Sequence, residues 1–142
     1  LHTLFPYTTL FRSAQNPIEP VDLMLEAIRL TLIDCNLSPS NSQRLQSDID
    51  SVDVVACSTW PYHDLPGLVS ERLGVDAKHK HYTPSMGNQP VKLLNDMARR
   101  IVTGESKVAL MTGGETLASR TLNDNHPAHS RLLIFWIQSE KA

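Results

Sequence analysis

Six histidines, two cysteines and a Gly-Gly-Glu segment are the residues of this 142-residue chain whose types could do chemistry. His79 and His81 are two apart in a stretch that reads as a strand, which puts both imidazoles on one face; His126 and His129 are three apart in NDNHPAHS. Zinc takes three or four convergent ligands. No carboxylate, cysteine or further histidine stands at a spacing that forces convergence, so these read as solvated surface histidines and no metal is expected. Gly113-Gly114-Glu115 suggests a phosphate cradle, but it lacks the full glycine pattern and the lysine of a nucleotide loop. Cys35 and Cys57 sit in apolar segments without the paired spacing of zinc sites or secreted disulfide frameworks. They read as small core hydrophobes in a reducing, intracellular compartment.

These residues need elements to hold them. Val21, Met24, Leu25, Ile28, Leu32 and Cys35 recur every three or four positions, which predicts a helix from Pro20 to Asn36, with Pro20 in its first turn and Asp22 at its positive end. The polar stretch Leu37 to Asp50 reads as a connector with at most one short helical turn. The run Val52 to Ala56 predicts a strand covered on both faces. The loop from Ser58 to Gly67, STWPYHDLPG, is rich in aromatics and prolines, the kind of segment on which binding chemistry sits. A short helix is predicted over Gly67 to Leu73 with Gly74 as its left-handed cap, and a second strand over Lys80 to Thr83. The turn Thr83 to Pro90 then passes into a helix capped by Asn88, carrying Val91, Leu94, Met97 and Ile101 on one face and closed by Gly104. Lys107 to Thr112 predicts a third buried strand. Helices alternating with strands imply parallel pairing.

Composition narrows the options. A net charge of -2, with 41% hydrophobic and 20% charged residues, is that of an ordinary folded domain, and 142 residues can bury a core without staples. Lys and Arg number 13 against 15 Asp and Glu, with no dense basic block, which disfavours a nucleic-acid partner. The apolar run Leu132 to Ile137 is too short to span a bilayer, so no membrane span is expected. Thr3 to Ser13, TLFPYTTLFRS, matches the in-frame translation of a sequencing-library adapter, so residues 1–13 are set aside. Residues 14–122 are expected to form the domain. The tail 123–142 is unassigned, either read-through or a genuine edge strand.

The block TPSMGNQPVKLLNDMARRIVTGESKVALMTGGETLAS, with the WPYHDLPG loop ahead of it, resembles the first half of a thiolase, close to the sterol-carrier-type and thiolase-like acetyl-CoA acetyltransferase branch. The resemblance runs from about Glu19 to Ser119. It implies an α/β fold, a partial thiolase-like N-terminal half with a mixed, mostly parallel sheet flanked by helices. It also implies acyl transfer from acyl-CoA, with the coenzyme A thioester as substrate, no bound cofactor, and a homo-oligomer in the full-length parent. In that family a cysteine at the start of the helix after the third strand accepts the acyl group. Here that position falls on Pro84 or Ser85, so Ser85 is the candidate catalytic residue, and the competing reading is a plain strand-to-helix turn. Gly87 and Asn88 are the candidate substrate-binding residues, presenting backbone donors to a thioester carbonyl or acyl group. Cys57 is either a displaced nucleophile or a buried inert thiol. Trp60, Tyr62 and Leu65 either line an acyl channel or subunit contact or fold onto their own helix. Gly113-Gly114-Glu115 is expected as a structural turn. A first strand ahead of Glu19 is missing from the family pattern, which predicts exposed apolar strand edges that associate. The chain by itself is expected to be inactive; the alternative function is a non-catalytic thioester-binding or oligomer-scaffold protein.

Overall fold

A computed structural model describes residues 18–116 and the strand 132–138. The adapter-like stretch, His126, His129 and the remainder of the tail lie outside the described residues.

The first apolar stripe winds into α1 (Pro20–Asp34), which buries Val21, Met24, Ile28 and Leu32. Glu19 at its N-cap makes no side-chain cap; instead the Tyr62 hydroxyl accepts from the Val21 N–H at 3.2 Å and donates to Glu19 Oε1 at 2.9 Å. A full helix, α2 (Pro39–Ser47), occupies the segment expected to be a connector. It buries no side chain, so hydrophobic periodicity could not reveal it. Its start is written instead in Ser38, whose Oγ accepts from the Asn41 N–H at 3.4 Å, and in Pro39 in the first turn.

Next come β1 (Ile49–Val54), α3 (Leu65–Leu73), β2 (His79–Tyr82), α4 (Gln89–Thr103), β3 (Val108–Gly114) and β4 (Leu132–Gln138). Helix α3 begins two residues ahead of the expected Gly67, because Asp64 Oδ1 caps the Gly67 N–H at 2.9 Å. Gly74 and Gly104 close α3 and α4 with φ of 68° and 77°, a region that favours glycine. Asn88 stands at the N-cap of α4 as expected, but its side chain makes no cap bond.

The sheet order is β2-β1-β3-β4, with β1 parallel to β2 and β3, and β4 antiparallel to β3. This is the mixed, mostly parallel α/β sheet expected. Its layers follow from strand alternation. Val52, Val54, Val108 and Leu110 face α1 and α3, while Ala109 and Met111 pack against Leu93, Met97 and Ile101 of α4. Among the described residues β1 and β3 pair directly, Val52 opposite Leu110. The edge at β2 carries His79, Lys80 and His81, which are half-buried or exposed and polar, rather than an apolar edge. Gly113 and Gly114 belong to β3 rather than to a turn. A Cβ on Gly113 would lie 2.9 Å from Val55 Cβ, so glycine permits the close approach there.

One charge interrupts the apolar run of β1. Asp53 is 0% exposed; its Oδ1 accepts from Arg100 Nη2 of α4 at 2.5 Å and its Oδ2 from Ser51 Oγ at 2.6 Å. A buried pair adds little net stability, yet removing one partner strands the other charge without compensation. Arg100→Met should therefore lower unfolding stability by about 3–5 kcal/mol in urea titrations. Adding Asp53→Leu to it should recover most of that loss; equal destabilisation of single and double variants would refute the pairing account.

Candidate functional site

Parallel strands deliver their carboxyl ends to one rim of the sheet, which is where open α/β sheets bind ligands. Three connecting segments meet there: Val55–Thr59 after β1, Thr83–Asn88 after β2, and Glu115–Thr116 after β3. The backbone locks them together. Val55 N–H donates to Thr112 O at 2.9 Å, Thr83 N–H to Val54 O at 3.0 Å, and Ala56 N–H to Thr83 Oγ1 at 2.9 Å.

Glu115 is the hub. Its Oε1 accepts from the Ser58 N–H at 2.6 Å, and its Oε2 accepts from the Thr59 N–H at 3.0 Å, from the Thr59 hydroxyl, and from the Cys57 thiol at 3.4 Å. Burial pushes this carboxyl up, but the bonds from Thr59, Ser58 and Cys57 outweigh it and hold Glu115 below the ordinary glutamate range. The group is therefore an ionised anchor at neutral pH. At the opposite end of the same strand pair, Asp50 of β1 does the same for the start of β3. It accepts from Ser106 Oγ at 2.5 Å and from the Lys107 and Val108 N–H groups. Burial raises the Asp50 carboxyl, and those bonds lower it further than burial raises it.

Cys57 is a buried thiol. Burial first and the Glu115 charge with it push the thiol up, against the lowering effect of Thr59, so the neutral form is favoured. That environment is opposite to one that activates a nucleophile, and it matches the reading of Cys57 as inert.

Ser85 lies at the rim. Its Oγ is 2.9 Å from Ser58 Oγ, and both residues are exposed. No His, Lys or carboxylate side chain contacts the Ser85 hydroxyl among the described residues. A cavity of about 290 Å3 opens beside it, lined by Val55, Ala56, Pro84, Ser85, Met86 and Gly87. The Gly87 and Asn88 N–H groups bond to no described backbone carbonyl. A Cβ added to Gly87 would meet nothing within 4 Å, so the space over this backbone is open to a ligand. The three residues singled out from sequence thus share one turn, with Ser85 and Gly87 on the cavity wall.

Sequence reasoning missed Ser58 and Glu115. Glu115 was visible only as the end of Gly-Gly-Glu, and its partners are more than 50 positions away. Tyr62 docks on α1, Leu65 is core, and Trp60 packs partly buried against that core, so this loop folds onto its own domain. A second cavity, of about 670 Å3, lies away from Ser85 between that loop, α3 and Lys80. His79 and His81 sit on the β2 edge, and among the described residues no three His, Cys, Asp or Glu side chains gather as a metal site. No helix of the described residues is long and apolar enough to cross a membrane.

Comparison with known proteins gives the fold its place. No family model matches the chain, and no curated protein sequence matches it. Among solved structures it is similar to a monomeric SCP2-thiolase-like protein from Mycobacterium smegmatis, at TM-score 0.60 and 24% identity over 72% of this chain and 21% of that one. It is also similar to a variant of Xanthomonas campestris OleA, at TM-score 0.62 and 17% identity over 89% of this chain and 43% of the other. AbyA1, a tetronic acid condensing enzyme, matches at TM-score 0.63 and 16% identity, over 86% and 37%. The chain has a thiolase-like fold and spans less than half the length of these proteins.

Two outcomes follow from the site. Glu115 and Asp50 have folded-state values below their unfolded ones, so their stabilisation is complete above the ordinary carboxylate range and is lost as pH falls through the depressed values. Thermal midpoints measured from pH 7 to pH 2 should drop on the acid side, and Glu115→Gln with Asp50→Asn should flatten that limb while lowering the neutral plateau. For the cysteines, disulfide-reagent labelling of the native chain at pH 8 should modify half-buried Cys35 first, with Cys57 slower by about tenfold or more; fast labelling of Cys57 would overturn the inert assignment.

Proposed function

We propose that this chain is the N-terminal portion of a thiolase-like acyltransferase acting on acyl-CoA thioesters, and that the turn from Ser85 to Asn88 is where the thioester's acyl group binds. The observation that carries the proposal is the cavity beside Ser85 at the carboxyl rim of the parallel sheet, lined by Val55, Ala56, Pro84 and Met86 together with Ser85 and with Gly87, whose N–H bonds to no described backbone carbonyl. Apolar walls suit an acyl chain, and N–H groups at a helix start suit a polarised carbonyl oxygen. The thiolase-like fold, shared with condensing enzymes, supports the same assignment. Coenzyme A enters as a substrate thioester, not as a resident cofactor.

Ser85 is the side chain placed to receive an acyl group. Its only described side-chain partner is the Ser58 hydroxyl, which is no base, so the chain by itself is expected to turn over slowly or not at all. This observation also favours a second reading, a protein that holds an acyl thioester without transforming it. A homo-oligomer of the parent protein belongs with the first reading.

The test is coenzyme A release from acetyl-CoA and acetoacetyl-CoA, measured beside acetyl-CoA binding, for this chain and for the longer product of the uninterrupted transcript, each with Ser85→Ala. Release by the longer product that the substitution abolishes establishes Ser85 as the acyl acceptor. Saturable binding without release establishes the holding protein. Neither binding nor release in either form would remove the acyl-CoA assignment.

A further inference from the structure

We infer that Glu115 is a positioning residue for the Ser85 hydroxyl, acting through Ser58. The inference rests on the reading of the Ser85 turn as the acyl-binding site. Two contacts in series carry it. The Glu115 carboxylate fixes the backbone at Ser58 through the 2.6 Å bond to its N–H, and Ser58 in turn holds Ser85 by the 2.9 Å hydroxyl pair. Ser58 and Ser85 are 27 positions apart, on loops after different strands, and both are exposed. An exposed serine ordinarily samples its three staggered rotamers freely. Here the bonds from the Ser58 and Thr59 N–H groups and the Thr59 hydroxyl hold the backbone of the partner loop, so the Ser58 Cβ has a set position from which its hydroxyl reaches Ser85 in one rotamer. The carboxylate is well suited to the task. It is ionised, it accepts on both oxygens, and it directly follows the buried strand residues Gly113 and Gly114. Glu115 does not line the cavity and makes no described hydrogen bond to Ser85, so its path to Ser85 is the one through Ser58.

The geometry also gives the direction of dependence. Removing the Ser58 hydroxyl frees Ser85 without disturbing Glu115. Removing the Glu115 charge frees both serines. Restoring a hydroxyl at position 58 with threonine should restore the pair, because the backbone clamp does not involve the side chain at that position.

The experiment is side-chain NMR of the full 142-residue chain, reading the Ser85 Cβ shift and its χ1 couplings in wild type, Glu115→Gln, Ser58→Ala and Ser58→Thr. Wild type and Ser58→Thr should show one dominant rotamer at Ser85, and Glu115→Gln and Ser58→Ala should show averaging. Should Glu115→Gln fail to fold, Ser58→Ala against Ser58→Thr still decides the second link, and Glu115→Asp, which keeps the charge but shortens the reach, decides the first by the same averaging. A fixed Ser85 rotamer in Ser58→Ala, or an averaged one in wild type, overturns the inference. Acetyl-CoA titrations separate this from the functional reading: the expected affinity loss is about 2- to 12-fold in Ser58→Ala, the range for one hydrogen bond. No acetyl-CoA binding by wild type, with the rotamer series as expected, removes the acyl assignment and leaves the relay in place.

Discussion

The pairing of β1 with β3 is clasped at both ends by a carboxylate, and the site exists because of that clasp. At one end Asp50, on β1, takes the N–H groups of Lys107, just ahead of β3, and of Val108, its first residue; at the other, Glu115, just past β3, takes the Ser58 and Thr59 N–H groups that follow β1. Each carboxylate accepts from donors that strand pairing leaves unmatched where the ladder stops. Thr59 and Val108, one donor at each end, are buried, and a buried N–H without a partner costs roughly 1–3 kcal/mol, so both ends of the ladder would otherwise be weak points. Because the two carboxylates belong to opposite strands, neither strand can slide along the other without breaking bonds at both ends. Register along β1 and β3 fixes where Ser58 emerges relative to Glu115. Through Thr83, bonded to Val54 O and to the Ala56 N–H, the same register fixes where the β2 loop carries Ser85.

The two sheet faces are held by different physics. The face toward α1 and α3 is an apolar core of Val, Leu, Ile and Met side chains, for which packing volume is the constraint. The face toward α4 combines a smaller apolar cluster with the Asp53–Arg100 pair, which is directional and fixes the rotation and height of α4 on the sheet. Helix α4 begins at the Ser85 turn. An apolar contact alone would let that helix shift by fractions of an ångström at little cost, and the turn would shift with it. A charge pair with Ser51 as third member does not allow that, which gives a buried pair of small net stability a reason to stand beneath the rim that carries the candidate site.

The sequence made these features legible to very different degrees. The α/β order, the faces of α1 and α4 and the glycine closures of α3 and α4 were written locally, in spacings of three, four and two residues and in Gly74 and Gly104. The thiolase-like fold was readable from the block between Thr83 and Ser119. Helix α2 was invisible to periodicity because no side chain on it is buried, and only Ser38-Pro39 announced it. Helix α3 starts earlier than its apolar spacing suggests because Asp64 caps it, and β1 runs over Ile49–Val54 rather than the expected Val52 to Ala56. The site was legible only in part. Ser85, Gly87 and Asn88 stand on one short segment, while Ser58 and Glu115 join them through tertiary pairing that no local spacing encodes. Asp53 was masked by its valine neighbours, and its partner lies 47 positions away.

If Ser85 is the acyl acceptor of the proposed function, a hydroxyl must do there what a thiolate does in thiolases. A thiolate at a helix start is stabilised by the surrounding N–H groups and needs no base to persist. A hydroxyl in the same field stays protonated, since nothing there lowers its acidity enough, and it becomes a nucleophile only beside a proton acceptor. The one thiol nearby, Cys57, is drawn the other way, into a buried contact with a carboxylate that disfavours its anion. Cys57 is thus held neutral, while the turn keeps open space over the Gly87 backbone, Gly87 and Asn88 N–H groups that bond to no described backbone carbonyl, and a Ser85 hydroxyl beside that of Ser58. Binding an acyl thioester asks for only those features. On the proposed reading, transforming it asks for a proton acceptor as well, and among the described residues no His, Lys or carboxylate side chain hydrogen-bonds to Ser85.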